Sequence, residues 1–316
     1  MKPRSIYLTP LLTVFAVLAT SCAMTGSGVS SVKSELSSHT LTHDGLERTY
    51  YLLNSTEGPN PVPLILSLHG GGGNGEHTCA LAGGIQELAE REGFLVACPE
   101  GIENNWNDGR ANDRNRAHIE DIDDVGFLRA LIEQLGKTHN IDPDRIYVTG
   151  ASNGGMMSLR MACEASDVIA AAGAVIASLP ADLSCEPEHP IPILLMNGTE
   201  DPLVPFEGGQ VHFFRRKLGE VISTPDTIAF WVAANGCDPT ARTELLPDLD
   251  PRDGTRIQLD TYSGCDEGVS VVLYTVEGGG HTLPGGTQYV LEFVIGRVSR
   301  DLHAGEAIWQ FFEAAP

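Results

Sequence analysis

Residues 145–163 read RIYVTGASNGGMMSLRMAC, and this stretch decides the fold. RIYV is a short run of β-branched and aromatic residues, the composition of a buried strand. Asn153 to Cys163, rich in Met, Leu and Ala after its two glycines, reads as a helix. Between them Gly150-Ala151-Ser152-Asn153-Gly154 matches G-x-S-x-G. In a strand–turn–helix setting that pattern puts the Ser hydroxyl on a strained turn at the strand end. The flanking residues are glycine because such a turn leaves no room for side chains. The helix also aims its N-terminus at the turn, which favours a developing negative charge. A plain Gly-rich turn with Ser152 as an N-cap is the bland reading of the same residues.

Outward from this turn, strands and helices alternate. Strands are predicted at 48–53, 63–68, 94–98, 191–196 and 269–276, with a further apolar run at 170–176. Helices are predicted at 80–92, 123–140, 224–234 and 304–314. Such alternation argues for a mostly parallel sheet covered on both faces, an α/β-hydrolase arrangement in one domain over residues 39–316.

A serine nucleophile needs a base, and the base needs an orienting acid. In this fold they follow the serine in the order acid, histidine. His281 sits in Gly-Gly-Gly-His-Thr directly after a strand, where a catalytic His belongs. His189 precedes a strand, His212 lies in a basic stretch read as helical, and His303 opens the last helix. A structural histidine is the alternative for His281. Asp201 follows the strand 191–196 and is the preferred acid, with adjacent Glu200 as substitute. The oxyanion needs two backbone donors. One is the amide of Asn153. The other belongs to His69-Gly70-Gly71-Gly72-Gly73, whose glycines permit close approach. That loop lacks the spacing of a phosphate-binding site. The acidic run Glu120, Asp121, Asp123, Asp124 has no EF-hand spacing and reads as the start of a helix. No metal or cofactor is expected.

The 316-residue chain has 42 acidic and 20 basic residues, a net charge of −22. It would repel nucleic acid or an acidic polysaccharide at long range. Lys2 and Arg4 precede the apolar run LLTVFAVLA at 11–19, which fits a signal peptide and is too short to span a membrane. Small residues then lead to Cys22, so residues 1–22 are read as a lipoprotein signal, with simple secretion as the alternative. Residues 23–38, rich in Ser and Gly, are read as a flexible tether. Export to the cell envelope or beyond would place the remaining six cysteines in an oxidising compartment. Cys237–Cys265 and Cys163–Cys185 are the favoured pairs, because each flanks one loop region. Oligomeric state is not legible.

Taken together, the segments LILSLHGGGGN, NWNDGR, DIDDVGFLRALI, VTGASNGGMMSLRMAC, MNGTEDPLVPF, VVLYTVEGGGHTLPGG and IWQFF resemble the polyhydroxybutyrate depolymerase and feruloyl esterase-like group of secreted α/β-hydrolases. The resemblance implies Ser152, Asp201 and His281 as triad, Gly71 beside Asn153 as oxyanion donor, and Trp106 in the substrate groove. It implies a serine esterase acting on hydroxyalkanoate esters or oligomers, or on feruloyl or acetyl-xylan esters. Leu283 stands where the group usually has Trp, which removes an aromatic wall and counts against an aryl substrate. The chain runs to Pro316 without the linker and polymer-binding domain that depolymerases of solid granules often carry, so soluble oligomers or small esters fit as well as polymer. Peptidase or acyltransferase chemistry, and a non-catalytic binding module on the same fold, are the other classes these residues allow.

Overall fold

A computed structural model describes residues 35–316 apart from 57, 82 and 83. The signal segment and Cys22 lie outside the described residues, as does most of the expected tether. Its last four residues do not: 35–38 belong to a strand, so the folded domain begins earlier than residue 39.

Twelve strands are described: β1 Glu35–His43, β2 Leu46–Asn54, β3 Val62–Leu68, β4 Leu95–Pro99, β5 Ile141–Ala151, β6 Ala171–Val175, β7 Ile193–Gly198, β8 Gly209–Phe213, β9 Arg216–Val221, β10 Arg242–Leu245, β11 Arg256–Tyr262 and β12 Val271–Glu277. The helices are α1 Gly75–Leu81, α2 Ile85–Glu92, α3 Arg116–Ile119, α4 Asp124–Thr138, α5 Asn153–Glu164, α6 Thr224–Ala234, α7 Glu292–Ile295 and α8 Ala304–Glu313. Ten strands form one sheet in the order β1-β2-β4-β3-β5-β6-β7-β12-β11-β10. The six from β4 to β12 run parallel, and antiparallel strands flank them on both edges.

The strand period of two divides the core. Leu64, Leu66 and Leu68 of β3 point to a layer built with Phe127, Leu128 and Leu131 of α4, Met156 of α5 and Trp231 of α6. Ile65, between them, points to the opposite layer with Leu88 of α2 and Trp309 and Phe312 of α8. Both faces of the parallel strands are therefore dry, as their near-continuous apolar runs require. Because the strands are parallel, the segments after β3, β4, β5, β7 and β12 all emerge at one edge. Ligands of open α/β sheets bind at that edge.

Two local expectations are corrected. The helix expected over 80–92 is broken into α1 and α2, with Gly84 at φ 74° before the second. His212, expected in a helix, lies on β8 of the two-stranded β8–β9 hairpin. Phe214, at φ 54°, makes the tight turn of that hairpin. Cys163–Cys185 and Cys237–Cys265 are bonded as favoured, and the third disulfide is Cys79–Cys98, tying α1 to β4.

Candidate active site

Ser152 sits at φ 56°, ψ −120°, between β5 and α5. For a non-glycine residue this backbone is strained, by about 1–3 kcal/mol, and persists only where its surroundings over-determine it. They do. The Ser152 amide donates to Val175 of β6 at 2.9 Å. The turn also runs against the end of β3, where a Cβ on Gly154 would lie 2.3 Å from the Leu68 carbonyl oxygen. A Cβ on Gly150 would lie 2.5 Å from the Gly154 backbone. The two glycines of the pentapeptide are thus dictated by contact, and Ser152 stays partly exposed above a buried helix.

Asp201 follows β7 and His281 follows β12, and the structure joins them. Asp201 Oδ2 accepts from His281 Nδ1 at 2.7 Å. Asp201 Oδ1 accepts the amides of Leu203 and Val204 at 2.7 and 2.9 Å. Both side chains are buried. A carboxylate only accepts, so the His281 proton resides on Nδ1 and leaves Nε2 as a base. The main chain of His281 is fixed as well. Its amide donates to Ile295, and its carbonyl accepts the Tyr289 hydroxyl at 3.0 Å. Although Tyr289 as a whole is exposed, its hydroxyl end is covered, and that burial, then the Asp201 charge, push the hydroxyl up from its ordinary pKa. Glu200, the alternative acid, is exposed and faces Arg297 at 3.8 Å. Neither His212 on the hairpin nor His303 just before α8 is bonded to Asp201.

The glycine loop after β3 is braced from the segment after β4. Gly72 donates to Asn104 at 2.8 Å and Gly73 to Gly70 at 2.9 Å, so those two amides are committed. Asn104 Nδ2 donates to the Gly73 carbonyl at 2.6 Å. Gly70 and Gly71 are the loop residues that lie against Ser152 and Asn153: Cβ atoms built on them would stand 3.7 and 3.6 Å from the Ser152 and Asn153 Cβ atoms. Asn153 is the first residue of α5, where amides have no intrahelical partner. His69 anchors the loop from below. Gly101 N–H donates to His69 Nε2 at 2.9 Å, so Nδ1 carries the proton and donates to Gly70 O at 2.9 Å. Burial pushes the His69 pKa down, and nearby Arg48 adds to this against the opposing Gly70 bond.

Trp106 is not a groove residue. It is fully buried, and its indole N–H donates to the His69 carbonyl at 3.0 Å. Leu283, two residues after His281, packs half-buried against the core layer of α2 and α8. Three contributors escaped the sequence reading: the Asn153 side chain, buried Asp108 and Tyr289. For Asp108 the polar cluster Asn-Trp-Asn-Asp-Gly-Arg at 105–110 was the signal, since so many polar groups beside a tryptophan need partners if buried. Asp123 caps α4 by accepting from Gly126 at 2.8 Å, and Asp124 pairs with buried Arg48 at 2.6 Å. Among the described residues, His43, Asp44 and Asp123 form the one trio of metal-ligand type; Asp123 Oδ1 accepts the capping bond, and its Oδ2 lies 3.1 Å from His43 Nε2.

A hydroxyl on a strained turn, a paired imidazole and two amides at one sheet edge are the parts of an acyl-transfer site. Comparison with known proteins agrees. The model of the dienelactone hydrolase family matches residues 51–221, which include Ser152 and Asp201. NocK of Nocardia uniformis subsp. tsuyamanensis, named as an esterase, is 35% identical over 83% of this chain and 78% of its own. Feruloyl esterase B of Piromyces equi is 30% identical over 71% of this chain, which spans only 40% of that protein. Feruloyl esterase C of Emericella nidulans is 28% identical over 84% of each. Acetyl xylan esterase from Aspergillus awamori shares the fold, with a TM-score of 0.55 at 15% identity over 88% of this chain and 99% of its own. The chain belongs to the dienelactone hydrolase family and is a carboxylic ester hydrolase on an α/β-hydrolase fold.

Proposed function

We propose that this protein hydrolyses esters through an acyl-enzyme on Ser152. The observation that carries the reading is the Asp201–His281 hydrogen bond at the same sheet edge as the Ser152 turn. His281 Nε2 takes the Ser152 proton as Oγ bonds to the ester carbonyl carbon, and the carbonyl electron pair moves to oxygen. The amides of Gly71 and Asn153 receive that oxyanion. Collapse breaks the bond to the alcohol, which leaves with the proton from His281. Water then repeats the sequence, with its proton passing to His281, and frees the acid. Asp201 holds the imidazole in the required tautomer throughout.

For substrate, we propose feruloyl- or acetyl-type esters of neutral polysaccharide. The names of the relatives support this, as does a net charge of −22, which disfavours an anionic polymer. A second reading, hydroxyalkanoate oligomers, is favoured by the exposed residues Tyr289, Leu291 and Phe293 on the segment whose Tyr289 hydroxyl and Ile295 carbonyl bond the His281 main chain. The test is purified protein and its Ser152→Ala variant on methyl ferulate, acetylated xylan, hydroxybutyrate oligomers and p-nitrophenyl esters. Ferulate or acetyl-xylan turnover ahead of the oligomers is expected; the reverse order transfers the assignment to the second reading. Residual turnover by Ser152→Ala overturns the serine assignment.

We also propose export with lipidation at Cys22, which the three disulfides support. Metabolic labelling with a fatty-acid analogue should mark the protein and spare Cys22→Ala. Equal labelling of both would overturn it.

A further inference from the structure

The side chain of Asn153 does not face the solvent or the serine. Its Oδ1 accepts the Trp106 amide at 2.8 Å, and its Nδ2 donates to the Trp106 carbonyl at 3.0 Å and to Asp108 Oδ2 at 2.6 Å. Asp108 is fully buried. Its Oδ1 accepts from His118 Nε2 at 3.0 Å and from the Arg110 amide at 3.1 Å. Arg110 Nε bonds both carboxylate oxygens at 3.0 Å. Burial alone would raise this carboxyl; Arg110 and His118 reverse that and hold it well below the usual carboxylate range. A charge kept inside a protein is expensive and no general source of stability, so its use is sought in the geometry it enforces.

That geometry concerns the oxyanion donors. Because a carboxylate only accepts, Asp108 dictates which end of the Asn153 amide faces it. Nδ2 must point to Asp108, which leaves Oδ1 for the Trp106 amide. Trp106 in turn bonds the His69 carbonyl, one residue before Gly70. One chain of hydrogen bonds thus runs from Asp108 through Asn153 and Trp106 to the loop that supplies the second donor. We propose that Asp108 is a positioning residue for the oxyanion hole, fixing the first turn of α5 and the His69–Gly71 loop against each other through the Asn153 side chain. This rests on the acyl-enzyme reading of Ser152.

The test compares Asp108→Asn and Asn153→Ala with the full-length parent. An amide at 108 that still accepts from Arg110 presents N–H to Asn153 Nδ2, donor against donor, and forces Asn153 to turn. Asn153→Ala keeps the backbone amide and deletes only the link, so it serves if Asp108→Asn fails to fold. Each variant is assayed on an oxoester and on its thionoester, in which sulfur replaces the carbonyl oxygen. Rates are normalised to the p-nitrophenol burst and folding is checked by thermal melts. The expected result is a fall in kcat for the oxoester of about 10²-fold, as for loss of one oxyanion donor. KM should change less than about threefold, the signature of an interaction made in the transition state. The thionoester, which engages the donors poorly, should lose far less, so the oxo-to-thiono ratio collapses. Parental kcat in the folded variants, or equal losses on both substrates, would overturn the proposal. Ser152→Ala tests the underlying reading by itself: a burst surviving there refutes the nucleophile and with it the premise of this proposal, whereas a burst lost there with parental kcat in Asp108→Asn and Asn153→Ala refutes the positioning role alone.

Discussion

Gly154→Ala isolates the contact that shapes the serine turn. A Cβ at this position would lie 2.3 Å from Leu68 O and 2.5 Å from His69 O. Real Cβ atoms essentially never come within 3.0 Å of a neighbour, so a gap of about 0.7 Å must open between α5 and the end of β3. The obstructing atoms are backbone and cannot rotate away. Overpacking of this kind costs about 1–3 kcal/mol. The larger effect falls on chemistry, because the displaced residues lead into the loop carrying Gly70 and Gly71. A shift approaching 1 Å in a reacting constellation costs on the order of 10²-fold in rate. Gly136→Ala is the control: it lies in α4 with no atom within 4 Å of its Cβ, and should be neutral or stabilise by about 0.5–1 kcal/mol. Urea denaturation and kcat on a p-nitrophenyl ester read both effects. If Gly154→Ala retains parental stability and kcat, the contact argument is refuted.

Asp201→Asn should preserve the bonds from Leu203 and Val204 but present an N–H to His281 Nδ1. The proton then moves to Nε2, where it blocks attack, and kcat should fall by about 10⁴-fold; a loss below tenfold would contradict the assigned tautomer. Stability should also decline in mild acid through His69. Its folded pKa is lowered below the ordinary 6.5, so below that pH the unfolded chain binds a proton that the folded chain does not. The contribution is intact above pH 6.5 and is lost as pH falls through the folded pKa, at up to about 1.4 kcal/mol per pH unit. His69→Gln, which keeps a donor and an acceptor, should flatten this slope in denaturation measured from pH 8 to pH 5. Identical slopes would show that His69 is not the group responsible.

The parts of the site legible in the sequence are those made by neighbours along the chain. Ser152, Asp201 and His281 each stand just beyond an apolar run, and a parallel sheet brings such positions to one edge whatever the loops do. What escaped were groups whose partners lie far away. Asn153 finds Trp106 at a separation of 47 residues, and Asp108 finds Asn153 at a separation of 45. Trp106 was expected at the substrate because nothing local says whether an indole in a polar loop is covered. The hairpin at His212 was missed because five residues of mixed polarity carry too little periodicity to distinguish strand from helix.

By itself the sequence determined the alternation of elements, the glycine-flanked turn at Ser152 and the positions of Ser152, Asp201 and His281 just beyond apolar runs. Hydrophobic period and glycine placement act within a few residues, so they survive in one dimension. Only the tertiary structure decided that Asp201 rather than Glu200 meets the histidine. It also decided that Trp106 braces the glycine loop instead of lining a groove, and that a buried carboxylate orients Asn153. Those outcomes depend on hydrogen bonds that exist only after distant polar groups have lost their water together, and no local pattern encodes that.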